Sequence, residues 1–187
     1  MVKKNCSIFI SGKGTNLFYI LKNSREYNFP INIKLIISNK HSALGNQIAK
    51  KFKISLKFLN DKNILSLNKI LNELKKEKIS LICLAGYMSI LPKYFINKFS
   101  GKIINIHPSL LPKYKGLNTF VKVIRNKEKR CGCTIHYVNE KLDSGKIIAQ
   151  KGFYVKEIYN ENTLKIKTQR LEHTLYSSSI IKIFKKN

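Results

Sequence analysis

Short apolar runs alternate with amphipathic stretches along the first half of the chain. Four runs before residue 90 have the length and β-branched content of buried strands: Cys6 to Ile10, Ile31 to Ile37, Ile54 to Leu59 and Ser80 to Ala85. Between them, apolar residues recur at helical spacing at Leu17 to Leu21, Ala43 to Phe52, Ile64 to about Lys76 and Pro92 to Phe99. Asp61 is the expected N-cap of the third helix. The alternation predicts an α/β fold with a doubly wound, mostly parallel, Rossmann-like sheet.

A fifth apolar run, from residue 102, carries two polar residues and stops at a proline. Asn105 and His107 are two positions apart in a strand, so their side chains project from the same face. Pro108 is incompatible with a central strand that continues. The polar pair therefore lies at the carboxyl end of a strand, where open α/β sheets bind their ligands. An amide donor beside an imidazole suits acyl transfer.

The rest of the chain predicts an antiparallel extension and a closing helix. Residues 117–130 are polar and lysine-rich, and we expect a loop with a short helix that could serve as a lid. Cys131 to Val138 and Lys146 to Val155 alternate like two antiparallel strands joined by a turn. A helix follows from Asn160 to Ile183, with Leu164, Ile166, Leu171 and Leu175 expected to face inward. No repeat or linker interrupts the pattern, so we expect one domain, 1–187.

The glycine-rich segment S-G-K-G-T-N-L follows the first strand and opens the first helix. Free backbone N–H groups and the helix dipole make such a turn an anion site. It is not a dinucleotide fingerprint, because Leu17 stands where the third glycine would be. A plain tight turn is the alternative. If the turn binds phosphate, a small monophosphate fits better than a dinucleotide.

The net charge of +26 raises the question of a polyanionic partner. Only four of the 36 basic residues are arginine, and the lysines are spread over nearly every segment. We therefore expect compositional drift and a field that attracts phosphorylated substrates, with no nucleic-acid partner. No apolar run approaches the ~20 residues that cross a bilayer, so a cytoplasmic protein without a membrane partner is expected. The four cysteines lack metal-site spacing, and we expect no metal.

Only two aspartates occur in the chain, and the second lies in the turn L-D-S-G. Asp143 has two interpretations. Turn chemistry alone would account for it. Placed near His107, its carboxylate would instead raise the imidazole pKa and hold the ring as a cationic donor near neutral pH.

Four segments in order closely resemble the phosphoribosylglycinamide formyltransferase family, the folate-dependent enzymes of purine synthesis. The resemblance covers residues 5–178 approximately. The matching segments are S-G-K-G-T-N-L, L-A-G-Y-M-S-I-L, I-N-I-H-P-S-L-L-P-K-Y-K-G and I-H-Y-V-N-E-K-L-D-S-G-K-I-I-A-Q.

The resemblance implies a transferase that moves the formyl group of 10-formyltetrahydrofolate to the amino group of glycinamide ribonucleotide, on the route to IMP. By motif position, Asn105, His107 and Asp143 match the catalytic trio. Asn105 and a protonated His107 would stabilise the oxyanion, Asp143 would orient the ring, and a water would pass protons.

The resemblance also assigns binding residues. The ribonucleotide is expected at Gly14, Thr15, Asn16, Gln169 and Glu172. The folate is expected at Met88, Ile90, Leu91, Asn105, Glu140, Leu142 and Asp143. Ser89 and Asn63 replace basic residues of the family near the folate tail, which weakens the expectation of a charged contact there. Lys13 replaces a polar residue of the family in the glycine turn.

Three alternatives remain at this stage. A methionyl-tRNA formyltransferase would need a further C-terminal domain, and a formyltetrahydrofolate hydrolase an additional N-terminal one. A degenerate anion- or RNA-binding protein would account for the charge but not for an intact Asn105, His107 and Asp143. A monomer or a homodimer is expected. His136 is expected to be structural or to line the site, and His41 and His173 receive no role.

Overall fold

Seven strands form one mixed sheet in the order β3-β2-β1-β4-β5-β6-β7. The computed structural model describes residues 2–184. Neighbouring strands from β3 to β5 pair in parallel, whereas β6 pairs antiparallel with β5 and β7 antiparallel with β6. The strands are β1 (Lys4–Ile10), β2 (Ile31–Ser38), β3 (Ser55–Phe58), β4 (Leu81–Leu84), β5 (Lys102–His107), β6 (Arg130–Tyr137) and β7 (Ile147–Tyr154). The predicted fold class is confirmed, including its antiparallel extension.

Helices cover both faces of the sheet, as a doubly wound fold requires. They are α1 (Thr15–Ser24), α2 (Gly45–Lys51), α3 (Ile64–Lys76), α4 (Lys93–Lys98), α5 (Thr119–Arg125) and α6 (Glu161–Phe184). Apolar side chains of α1, α2 and α6 pack in one core cluster with β1 and β4, and those of α3 and α4 pack in another. Within residues 2–184, no helix combines the length and the apolar character needed to cross a bilayer.

The central strands are buried because they have helices on both sides. All four residues of β4 are buried, as are the last five of β1. Such strands are continuous apolar runs, which is why the sequence predicts their positions well. The proposed domain bounds, 1–187, extend to residues 1 and 185–187, which lie outside the described residues.

The predicted N-cap of α3 is wrong by two residues. Asn63 has extended backbone dihedrals, and its side-chain oxygen accepts a hydrogen bond from the N–H of Ser66 at 3.0 Å. Asp61 instead accepts hydrogen bonds from the Tyr87 hydroxyl at 3.1 Å and the Asn39 amide at 3.4 Å. Both residue types suit an N-cap, and the choice between them is decided by Asn39 and Tyr87, which lie in the loops after β2 and β4.

The inward face of α6 is also narrower than predicted. Leu164 and Leu175 are buried and Leu171 packs against the core, but Ile166 is 43% exposed. Residues two apart on a helix point in nearly opposite directions, so Ile166 cannot share a face with Leu164. Thr168, four residues after Leu164, takes the buried position instead.

We predict that Asn63→Ala lowers the free energy of unfolding by about 1 kcal/mol, because the first turn of α3 loses its side-chain cap. Urea denaturation of the purified variant measures this. Asn63→Asp keeps an acceptor at the same position and serves as the matched control, which should unfold close to the wild type. Equal losses in the two variants would contradict the assignment of the cap.

Candidate active site

The polar residues predicted from sequence gather at one edge of the sheet. The glycine turn follows the carboxyl end of β1, Met88 follows β4, and Asn105 and His107 end β5. The antiparallel strand β6 runs back along β5 and delivers the turn that holds Asp143. Topology alone therefore brings distant segments to one place.

The carboxylate of Asp143 lies at the centre of this group and is 8% exposed. One oxygen, Oδ2, accepts a hydrogen bond from the N–H of Gly116 at 2.9 Å and lies 3.2 Å from His107 Nδ1. The other, Oδ1, lies 3.5 Å from both Asn105 Nδ2 and His136 Nε2. The three residues that the resemblance assigns to catalysis are thus brought together, with His136 as a fourth.

The turn that carries Asp143 has a demanding backbone. Asp143 itself has a φ of 45°, in the left-handed region that aspartate tolerates better than most residues. A Cβ at Gly145 would overlap the carbonyl of Tyr137, so only glycine lets the turn close against the end of β6. The sequence L-D-S-G is therefore required by the turn as well as by the site.

Asp143 is held in its ionised form. Burial raises the pKa of this carboxyl. Contact with the His136 ring, the hydrogen bond from the Gly116 N–H and the positive charge that His107 can carry lower the pKa by more, so the net pKa lies below the ordinary value. A buried carboxylate is tolerated where several donors replace its hydration.

His107 does not behave as the sequence predicted. Burial is the largest effect and lowers its pKa; the Tyr114 carbonyl and Asp143 raise it, while His136 and Lys122 lower it. The net pKa lies below the ordinary value, so the expectation that Asp143 holds the ring as a cation near neutral pH is wrong. The desolvation of a ring that is 5% exposed outweighs its carboxylate partner.

Both ring nitrogens of His107 face oxygen acceptors. Nδ1 lies 3.2 Å from the Asp143 carboxylate, and Nε2 lies 2.8 Å from the carbonyl oxygen of Tyr114. Either neutral tautomer can donate to only one of them and leaves a lone pair facing the other. A protonated ring would satisfy both. The site is therefore arranged to accommodate a proton on His107, although burial keeps the resting ring neutral near pH 7.

The loop after β5 is fixed by its own hydrogen bonds, and this places the Tyr114 carbonyl. Tyr114 has a φ of 57°, and its hydroxyl donates to Glu128 at 2.7 Å. At the start of the same loop, the Thr134 hydroxyl of β6 donates to the carbonyl of Ser109 and accepts from the N–H of Leu111. The loop therefore packs as an ordered wall of the site.

The glycine turn approaches α2 so closely that side chains are excluded. Gly14 has a φ of 75°, and a Cβ there would lie 2.7 Å from the Cα of Gly45. The N–H of Gly45 donates to the carbonyl of Gly12 at 3.0 Å. Helix α1 begins at Thr15, and its first turn has no side-chain cap. Such N–H groups at a helix N-terminus suit an anion.

Helix α6 meets this turn with the two residues that the resemblance assigns to it. Gln169 Nε2 donates to the Thr15 hydroxyl at 2.8 Å, and Asn16 Nδ2 donates to the Glu172 carboxylate at 2.8 Å. Burial raises the pKa of Glu172, and the bond from Asn16 offsets this only in part. The Asn16 Oδ1 atom is buried and has no hydrogen-bond partner among the described residues. All five residues expected at the ribonucleotide are thus close together in the folded structure.

The residues expected at the folate form a looser group. Met88 and Ile90 are 74% and 70% exposed, and Leu142 is about half exposed, so they offer an apolar rim at the sheet edge. The side chain of Leu91 packs in the core against β4, which leaves only its backbone for the rim. Glu140 instead pairs with α4: its carboxylate accepts from Asn97 at 3.0 Å and lies 3.3 Å from Lys93.

Sequence reasoning missed a positioning network behind the rim. The Ser11 hydroxyl donates to Asn39 and accepts from the N–H of Met88, and Asn39 and Tyr87 both donate to Asp61. Burial raises the pKa of Asp61, but hydrogen bonds from Ser89, Tyr87 and Asn39 lower it below its ordinary value. This network ties the glycine turn to the rim, and nothing in the local sequence indicates its long-range partners.

Tyr176 was missed as well. It is fully buried on α6, and its hydroxyl lies 3.1 Å and 3.4 Å from the carbonyls of Leu84 and Ile104. The second of these carbonyls belongs to the peptide bond before Asn105. The spacing from Gln169 to Glu172 to Tyr176 is i, i+3, i+7, a signal that could have indicated one functional face.

Comparison with known proteins identifies the family of this chain. A family model described as formyl transferase matches residues 4–180. The chain belongs to the formyl transferase family. A phosphoribosylglycinamide formyltransferase of Haemophilus influenzae is 38% identical over 177 residues, covering 92% of this chain and 84% of that protein. One of Bacillus subtilis is 34% identical and covers 95% and 93% respectively.

One solved structure matches this chain over nearly its whole length, whereas some curated relatives are much longer. The crystal structure of phosphoribosylglycinamide formyltransferase from Bacillus halodurans has a TM-score of 0.91 and 35% identity, covering 98% of this chain and 96% of that one. By contrast, the chain spans 13% of the trifunctional purine biosynthetic protein adenosine-3 of Chironomus tentans and 18% of the one from Bos taurus.

Acidification should destabilise the folded protein. Burial lowers the pKa of His173, as it lowers that of His107, so the unfolded chain binds more protons than the folded one at mildly acidic pH. The free energy of unfolding should therefore be fully retained above about pH 6.5, the ordinary histidine pKa, and fall below it. His107→Gln and His173→Gln should each reduce this slope in urea denaturations between pH 8 and 5.5. Comparison at pH 8 controls for changes in packing. A variant slope equal to the wild-type slope would contradict the lowered pKa.

Proposed function

We propose that this chain is a phosphoribosylglycinamide formyltransferase that moves the formyl group of 10-formyltetrahydrofolate to the amino group of glycinamide ribonucleotide, in the synthesis of IMP. Membership of the formyl transferase family and near-complete coverage of two bacterial relatives support this. The observation that carries the proposal is the meeting of Asn105 and His107 with the ionised, buried carboxylate of Asp143.

The ribonucleotide amine attacks the formyl carbon, and a new C–N bond forms as the formyl oxygen takes on negative charge. An amide N–H of Asn105 stabilises this oxyanion. The formyl oxygen carries less negative charge in the ground state, so the hydrogen bond is stronger in the transition state. The bond from the formyl carbon to the folate nitrogen then breaks. The proton lost by the amine reaches that leaving nitrogen, so charge and atoms balance.

His107 is the carrier of that proton in this proposal. Its lowered pKa keeps the ring neutral near pH 7 and able to accept a proton, through one water if it does not touch the amine. Once protonated, the ring donates to both the Asp143 carboxylate and the Tyr114 carbonyl. The ring then returns the proton to the leaving nitrogen. Asp143 orients the ring and stabilises its charge without becoming protonated itself.

We propose that the phosphate of the ribonucleotide binds at Gly14, Thr15 and Asn16, because the first turn of α1 has no side-chain cap and its N–H groups are available to an anion. Gln169 and Glu172 would bind the ribose, and the unpartnered Oδ1 of Asn16 can accept from a ligand hydroxyl. The apolar rim of Met88, Ile90 and Leu142, with the backbone of Leu91, is the proposed folate surface. Glu140 would help to hold the rim through Lys93.

The remaining features follow from the same proposal. The substrates are small molecules, with no nucleic-acid partner, no membrane and no metal in the reaction, and we place the protein in the cytoplasm as a single domain, 1–187. Among residues 2–184, no group of three or more histidine, cysteine, aspartate or glutamate side chains is arranged to hold a metal ion.

A spectrophotometric formyl-transfer assay with glycinamide ribonucleotide and 10-formyltetrahydrofolate tests the proposal. The wild type should turn over, and Asn105→Ala should reduce kcat by about 10²–10³ because one oxyanion donor is lost. His107→Ala should lose still more, since it removes the proton carrier. Asn68→Ala, on the outer side of α3 where it accepts from Tyr94, is the matched control and should retain wild-type kcat. Wild-type turnover no greater than that of His107→Ala would overturn the proposal.

A further inference from the structure

The imidazole of His136 lies between two residues of the proposed reaction but has no part in it so far. We infer that His136 is a positioning residue: its Nε2 accepts one N–H of the Asn105 amide and thereby leaves the other N–H available to the oxyanion. The inference rests on the proposed function, and it adds a residue that neither the sequence motifs nor the reaction itself requires.

The sheet register places the two side chains together. Asn105 and His136 are direct partners across the antiparallel β5–β6 pair, so they share one face of the sheet. Asn105 Nδ2 lies 3.3 Å from His136 Nε2. His136 is 2% exposed, so no bulk water competes for that contact.

The other ring nitrogen determines what Nε2 can do. His136 Nδ1 lies 2.9 Å from the carbonyl oxygen of Tyr137. A carbonyl can only accept, so Nδ1 carries the ring proton. In the neutral ring, Nε2 then has a lone pair directed at the Asn105 amide. The tautomer is set by a backbone group, as is common for histidines that orient a functional group.

The Asn105 amide group has two N–H bonds and two acceptors beside it. His136 Nε2 is at 3.3 Å, whereas the Asp143 Oδ1 atom is at 3.5 Å, at the limit of a hydrogen bond. The contact with the carboxylate is the weaker of the two in geometry. The Asn105 N–H that points towards Asp143 is therefore the one available to a developing oxyanion, while the contact with His136 holds the amide in place.

The same arrangement selects the orientation of the amide. Rotation by 180° would bring the Asn105 carbonyl oxygen against the Nε2 lone pair and the Asp143 carboxylate. All three would be acceptors, and the oxyanion would then meet another oxygen in place of a donor. His136 thus excludes the unproductive orientation, which matters because small errors in placing a catalytic group cost about 10²-fold in rate.

The first test does not depend on activity. Long-range ¹H–¹⁵N NMR of the ¹⁵N-histidine-labelled wild type at neutral pH, with His136→Gln used to assign the signal, reports which ring nitrogen carries the proton. The expected result is a neutral ring protonated at Nδ1. A proton on Nε2, or on both nitrogens, would overturn the inference, because Nε2 could no longer accept from Asn105.

The second test compares two substitutions in the formyl-transfer assay. His136→Leu removes the acceptor and should lower kcat by about 10- to 100-fold, as loss of an orienting partner does elsewhere, with little change in either KM. His136→Gln can place its Oε1 near the former Nε2 and should restore most of kcat. Ile135→Val, a core truncation on the opposite face of β6, is the matched control for packing and should leave kcat unchanged.

The outcomes separate this inference from the proposed function. Equal losses in His136→Leu and His136→Gln, or an unchanged kcat in His136→Leu, would overturn the positioning role while the wild type stays active. An inactive wild type would instead overturn the proposed function, and the NMR result would still decide the tautomer. If His136→Leu does not fold, the NMR result together with kcat of His136→Gln decides.

Discussion

A carboxylate removed from water must find donors inside the protein, and Asp143 obtains them from two segments. The Gly116 N–H comes from the loop after β5, and Asn105 and His107 come from β5 itself. Without these donors the buried charge would cost several kcal/mol, so the segments are held at the positions where they meet it. The geometry of the proposed catalytic site and the local fold thus depend on the same ion.

Helix α6 extends this constraint to the other half of the site. Its residues Gln169 and Glu172 contact the glycine turn, and Tyr176, one turn further, reaches the carbonyl before Asn105. One helix therefore sets the distance between the expected phosphate site and the proposed catalytic residues of β5. A formyl transfer needs that distance fixed, because the amine must reach the formyl carbon while its phosphate stays bound.

Features that depend on residues close together in the sequence could be predicted, whereas features that depend on distant residues could not. The strand positions follow from the short apolar runs, and the shared face of Asn105 and His107 follows from the two-residue period of a strand. Both predictions were correct. The N-cap of α3 could not be decided locally, because Asp61 and Asn63 are both good caps and the choice rests on Tyr87 and Asn39, which lie in the loops after β4 and β2. The predicted direction of the His107 pKa shift was wrong for a related reason. A neighbouring carboxylate, which raises the pKa, can be inferred from a motif, whereas burial, which lowers it, depends on the whole chain. His136 was expected only to be structural or to line the site, because the positioning role proposed for it requires the β5–β6 register, which sequence patterns do not specify.

The central claim is that Asp143 remains ionised inside the protein and organises the groups around it. Carboxyl ¹³C NMR of the wild type, with the signal assigned by Asp143→Asn, measures its ionisation directly as pH is lowered from 7 towards 4. With donors on both oxygens, the signal should still be more than half in its ionised form at pH 4, because the Asp143 pKa lies below the ordinary value of about 3.9. A midpoint at or above that ordinary value would contradict the account.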